Sequence, residues 1–223
     1  MQFHQPLVYE IALKINKIIE VTILQLTYIF SNQPKGVDFL ELNEAIKQRR
    51  VVRKFLPDPI PDDALYKIID SARWAPSPFN TQPWEFIIIR NQETLKKLGK
   101  AAPTAQYLAD APMAIAVVIL PINAKYPFHQ EVGEPKHAGA IAVQNIMLTA
   151  WELGIGTGWA TIEAEKVKKI LHIPNEFDVL TVIPMGYSLD SPPERMEDDR
   201  LPVDELISFE EYTGLSEGRI IEY

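Results

Sequence analysis

The sequence predicts an α+β domain with a central, mainly antiparallel sheet flanked by helices. Three observations carry this. The β-branched runs of strand length, residues 84–90, 113–120 and 179–183, are few and are separated by segments with helical spacing. One long apolar-periodic helix, His137–Leu153, stands among shorter ones. The only glycine-rich run, Gly154-Ile155-Gly156-Thr157-Gly158, follows that helix instead of opening one. Repeated βαβ units with a dinucleotide-binding turn are thereby excluded.

The elements follow in chain order. Leu7, Ile11, Ile15, Ile18 and Ile19 recur at helical spacing and predict an amphipathic helix over Val8–Ile29, whose apolar face packs either on its own domain or across a dimer. Glu10, Lys14, Lys17 and Glu20 interrupt it, and the apolar remainder Val21–Phe30 is too short to span a bilayer. The residue order is not that of a signal peptide. Asn32–Gly36 reads as a linker, giving an extension over 1–36 and a domain over 37–223. A helix over Asp38–Gln48 carries Leu40, Leu42, Ala45 and Ile46. Pro57, Pro59 and Pro61 keep the next connection extended, with Pro61 suited to the first helical position and Asp62 and Asp63 to the first turn. Ala64, Leu65, Ile68, Ile69 and Ala72 form that helix's buried stripe.

Short helices are expected over Glu93–Lys100 and Thr104–Ala109. Residues 121–135 have no periodicity and carry Tyr126, Phe128 and His129, as either a substrate lid or an exposed connection. In 137–153, Ala140, Val143, Gln144, Met147, Leu148 and Trp151 repeat at helical spacing, so a central, doubly covered helix ending at Gly154 is expected. A helix over Glu163–Leu171 would take Thr161 as its cap. Asp190–Pro202 is a charged, proline-rich loop, and the tail with Ile220 and Ile221 must pack on itself or on a partner.

The 223 residues suffice for one sizeable core. A net charge of −8 argues against nucleic acid as the main partner. The absence of cysteine removes disulfides, thiol nucleophiles and cysteine metal sites, and is compatible with a reducing cytoplasm. The four histidines lack zinc-site spacing.

The chemistry concentrates in residues 49–86. Were 41–53 helical, Arg49 and Arg53 would share one face with Arg50 alongside. A bound phosphate would relieve their repulsion, and guanidinium suits its geometry. A solvated basic helix end is the plainer alternative. Downstream, Pro76, Pro78 and Pro83 stiffen a loop bearing Ser77, Asn80, Thr81 and Gln82. Such a loop suits recognition of a flat ring with polar edges, or is an ordinary turn.

Arg49-Arg-Val-Val-Arg-Lys-Phe55 followed by Ala75-Pro-Ser-Pro-Phe-Asn-Thr-Gln-Pro-Trp-Glu-Phe86 resembles the paired signature of the nitroreductase-like flavoenzyme family, from about Leu42 to about Leu206. The resemblance implies a nitroreductase-like fold, usually an intertwined homodimer with FMN at its interface. It implies that Arg49 and Arg50 meet the FMN phosphate and ribityl chain, and that Arg53 reaches the ring near N1 and the C2 carbonyl. A cation there would stabilise reduced flavin. Pro76, Ser77, Pro78, Asn80 and Gln82 match positions lining the isoalloxazine, Gly158, Trp159, Ala160 and Thr161 a backbone segment near its reactive face, and Arg200 a late phosphate-binding arginine. Val51 replaces a frequent serine, and Asp198 stands where many members have a second cation. The implied activity passes hydride from NADH or NADPH through flavin N5 to a small oxidised acceptor such as a nitroaromatic or a quinone, with no catalytic side chain required. Relatives that remove halide from aromatic amino acids, relatives that break down FMN for a cobamide ligand, and a non-catalytic flavin-binding module share these motifs.

Overall fold

The computed structural model describes residues 42–122, 127–191 and 200–212. The chain divides into two units, Met1–Phe39 and Leu40–Tyr223, and every described residue belongs to the second. The expected helix Val8–Ile29, the 32–36 linker, Tyr126, Asp198 and the Ile220–Ile221 tail lie outside the described residues.

The fold class is α+β. Four strands, β1 (Trp84–Ile89), β2 (Met113–Ile119), β3 (Gly156–Thr157) and β4 (Asp178–Gly186), form one sheet in the order β1-β2-β4-β3. All their pairings are antiparallel. β2 is buried along its whole length, and its residues alternate between two cores. Met113, Ile115, Val117 and Ile119 face one core with Ile68 of α2 (Asp62–Arg73) and Ile146 of α5 (Glu134–Glu152). Ala114, Ala116 and Val118 face another with Leu95 and Leu98 of α3 (Gln92–Lys100) and Val167 of α6 (Ala164–Leu171). Both faces of the sheet are therefore covered, which is why β2 reads as a continuous apolar run without alternation. Each large side chain buried there contributes about 1.5–3 kcal/mol.

Several boundaries differ from the sequence expectation. The helix α1 (Leu42–Gln48) ends before Arg49, so the three arginines are not on one helix face. Val52 is drawn instead into a small cluster with Phe55 and Ala111, against Trp151 and Tyr107, and the backbone straightens. Pro61 precedes α2 as its extended cap residue and is not its first helical residue. The segment expected as a helix over 104–109 is a 3₁₀ turn, Gln106–Asp110. The aperiodic stretch 121–135 contains a short helix, α4 (Pro127–Glu131), and α5 starts at Glu134, before His137. Glu163, not Thr161, occupies the cap position of α6, and its side chain makes no capping hydrogen bond. Within the described chain α5 is covered on one face only: Ala142, Val143, Ile146 and Ala150 are buried, whereas Gln144 is exposed and Ile141 is 41% exposed.

Candidate functional site

Residues 49–56 form a strap along the β3 edge. The Val52 N–H donates to the Thr157 carbonyl at 3.0 Å, Val51 bridges Thr157, and Phe55 bridges Ser188. The close approach depends on Gly156, where an added Cβ would lie 2.3 Å from Val52 Cγ2. The strap carries Arg49, Arg50, Arg53 and Lys54. Arg50 Nη1 donates to the carbonyls of Lys47 and Gln48 at 2.7 and 2.6 Å, so this guanidinium also serves the C-terminal end of α1. Arg53 is exposed, and its Cζ lies 6.0 Å from the centre of the Tyr107 ring. Lys54 Nζ pairs with Asp190 Oδ2 at 2.8 Å. That hydrogen bond, and then the Asp190 charge, raise the Lys54 pKa above its usual 10.5. A cleft of about 200 Å³ opens here, lined by Val51, Val52, Arg53, Lys54, Ser188, Asp190 and Ser191.

Next to the strap, the Gly158 and Ala160 N–H groups donate to the Pro184 and Val182 carbonyls at 3.1 and 3.2 Å. Thr181 Oγ1 donates to the Ala160 carbonyl at 2.9 Å. This pattern turns the Trp159 peptide away from β4, and its indole is 41% exposed. Thr161 is exposed. The Thr157 hydroxyl is buried and lacks a hydrogen-bond partner among the described residues.

The 76–82 loop enters β1. The Gln82 N–H donates to Ser77 Oγ at 3.0 Å, and Gln82 Nε2 donates to the Asn80 carbonyl at 3.1 Å. Phe79, Asn80 and Gln82 hold φ of 51°, 56° and 48°, in the left-handed region that non-glycine residues rarely adopt. The Phe79 ring meets His129 of α4 edge-on at 4.9 Å, and His129 Nδ1 pairs with Glu134 Oε2. Pro76, Asn80 and Gln82 are exposed, and Ser77 and Pro78 are half-buried. Arg200 is exposed in the segment after residue 199.

One chain does not bring these two groups into one cavity. The strap lies outside β3, while the loop precedes β1 at the other edge of the sheet. They also sit at opposite ends of the strands, because Trp84 pairs with Ile119 whereas Thr157 pairs with Met185, which pairs with Met113. Three inter-strand spacings and a strand's length put them on the order of 14 Å apart across the sheet and about 20 Å along it. The structure thus gathers Val51, Arg53, Gly158 and Ala160 near one corner, and Pro76 to Gln82 at the diagonal one. Lys54, Tyr107, Thr157, Ser188 and Asp190 adjoin the first corner and were not singled out by the sequence. Lys54 had a signal in its position next to Arg53, Thr157 in the glycine-rich run and Asp190 in the charged loop it opens; Tyr107 and Ser188 had none.

The model of the nitroreductase family matches residues 46–118 and 102–187. A protein of Methanothermobacter thermautotrophicus named NADH dehydrogenase/NAD(P)H nitroreductase is 34% identical over 71% of this chain and 83% of its own. An Archaeoglobus fulgidus protein of the same name is 34% identical over 74% of this chain and 96% of its own. The solved structure of an FMN-dependent nitroreductase from Clostridium difficile superposes with a TM-score of 0.66 at 25% identity, covering 75% of this chain and 98% of that one. These similarities and the fold define an oxidoreductase class that works with FMN and a nicotinamide cofactor. The chain belongs to the nitroreductase family.

Proposed function

We propose that this protein is an FMN-dependent oxidoreductase that spends NADH or NADPH on a small oxidised acceptor, such as a nitroaromatic or a quinone. Each cofactor site would be completed by a second copy of the chain. The observation that supports this most is the cationic strap 49–54 laid against the Gly156–Gly158 run, with the polar loop 76–82 at the diagonal corner. The donor set fits FMN. Guanidinium groups suit a phosphate, and the Thr157 hydroxyl, buried and without a hydrogen-bond partner among the described residues, sits where the strap meets β3. A two-fold arrangement would bring the strap of one copy to the loop of the other.

Bound FMN supplies the redox chemistry, accepting hydride at N5 and passing it on. The chain binds, orients and stabilises. Arg49 and Arg50, with Arg200, would hold the phosphate end. Arg53 would place a fixed positive charge where negative charge gathers near N1. Ser77, Asn80 and Gln82, stiffened by Pro76 and Pro78, would meet the polar ring edge. The backbone of Gly158 to Thr161 would line the reactive side. Val51 offers no hydroxyl and Asp198 no cation, so phosphate affinity rests on the arginines.

The same proposal treats residues 1–36 as an extension of a 37–223 catalytic domain and places the protein in the cytoplasm. No helix among the described residues is long and apolar enough to cross a membrane. Visible absorbance of the purified protein tests the cofactor: a yellow protein, bleached on mixing with NADH or NADPH, is expected. Colourless protein that takes up no added FMN would overturn the proposal, and bound flavin that neither nicotinamide reduces would leave only a binding module.

A further inference from the structure

Tyr107 belongs to neither motif, yet it touches both halves of the first corner. It sits on the Gln106–Asp110 turn, packed against Val52, Phe55 and Ala111. Arg53 Cζ lies 6.0 Å from its ring centre. It also faces Gly158, where an added Cβ would lie 2.7 Å from the Tyr107 hydroxyl and 3.2 Å from its ring. Burial pushes the phenol pKa above its usual 10.0, and the Arg53 charge pulls it back. The phenol therefore stays neutral at physiological pH and keeps a negative ring face for a cation. Arg53 is exposed and long, and without a surface to lie on its guanidinium would sample many rotamers.

We propose that Tyr107 is a positioning residue that holds the Arg53 guanidinium beside the Gly158 turn, fixing the charge that favours reduced flavin. This rests on the FMN reading above. Tyr107 acts through Arg53 and needs no contact with the cofactor. Gly158 is required in part because Tyr107 fills the space its side chain would take.

The test compares midpoint potentials of bound FMN in full-length wild type, Tyr107→Phe and Tyr107→Leu, each with and without Arg53→Met. Tyr107→Leu is expected to weaken the preference for reduced over oxidised flavin about fivefold, lowering the two-electron potential by about 20 mV. Tyr107→Phe, which keeps the ring, should stay close to wild type. In the Arg53→Met background Tyr107→Leu should change nothing further. An unchanged potential in Tyr107→Leu, or a drop that persists without Arg53, overturns the proposal. If Tyr107→Leu does not fold, fluorinated phenylalanines at 107 keep the shape while draining the ring face. The potential should then fall with each fluorine, and a flat series overturns the proposal. A wild type that takes up no FMN overturns the functional reading and this inference together, whereas flavin-loaded protein with flat potentials overturns this inference alone.

Discussion

Val52 lies on Gly156 so closely that a single added methyl at 156 would sit 2.3 Å from Val52 Cγ2 and 2.6 Å from its Cβ. The strap and β3 touch at this point, so a substitution there forces them apart. Gly156→Ala should cost about 1–3 kcal/mol, as overpacking in a closed core does. Gly154 is a control with a different physical cause. It has φ of 73° and nothing within 4 Å of an added Cβ, so Gly154→Ala should cost only backbone strain, about 1–2 kcal/mol. Urea denaturation with and without FMN separates the two. Gly156→Ala should also weaken FMN binding, and Gly154→Ala should not.

The 76–82 loop holds strain that glycine would release. Gln82→Gly removes a side chain from a φ of 48°. The relief, less the added freedom of the unfolded chain, should stabilise the protein by about 0.5–1 kcal/mol. FMN affinity should fall in the same variant, because Gln82 Nε2 no longer ties down the Asn80 carbonyl. Equal affinity in mutant and wild type, measured by flavin fluorescence quenching, would show that the strained conformation has no bearing on the cofactor.

Asn91 caps α3 by accepting from the Thr94 N–H at 3.0 Å. Asn91→Ala should lower stability by about 1 kcal/mol with FMN affinity unchanged, because the Asn91 side chain bonds only Thr94 in the first turn of α3 and no residue of the strap or the 76–82 loop. Thermal denaturation and a flavin titration check both halves of this expectation.

Stability should be insensitive to Tyr107 and Lys54 below pH 10 and decline above it. Both groups have folded pKa values raised above their usual 10.0 and 10.5. The unfolded chain then releases its protons first as pH rises, so the stabilisation is complete below those values and is lost as pH climbs through the folded ones. For Lys54 the cause is Asp190, so Asp190→Asn should move the Lys54 titration downward, as followed by NMR of the lysine side chain.

Ile141 stands 41% exposed in the middle of α5. If the proposed dimer covers it, Ile141→Glu should shift the solution mass to that of a monomer and abolish FMN retention. Light scattering reads the first and absorbance the second. If the 1–36 extension packs across the dimer, removing it should likewise give the solution mass of a single truncated chain instead of two.

The strands and most helices were legible because their signals are local. Ile87, Ile88 and Ile89, and the run Met113–Ile119, read as strand wherever they are placed. The end of α1 was not legible. Nothing in Arg49–Arg53 breaks a helix, and what ends it is the fit of Val52 against Gly156 and Trp151, about a hundred residues away. The left-handed Phe79 and Gln82 were hidden for a similar reason, since neither residue type favours that region. The candidate site residues stand out by motif, but their separation within one chain was not legible. It follows from the strand order β1-β2-β4-β3, which no local pattern encodes. Tyr107 left no sequence trace at all, because its meaning comes only from its contacts with Arg53 and Gly158.

The diagonal placement of Arg53 and Asn80 has a genetic consequence. In the proposed dimer, two variants, Arg53→Met and Asn80→Ala, would each stop turnover at both of their own sites, Arg53→Met with FMN still bound. Co-expressed, they would form hybrids in which one site collects both lesions and the other collects neither. Random pairing would then rescue about a quarter of all sites, so two inactive alleles would complement one another.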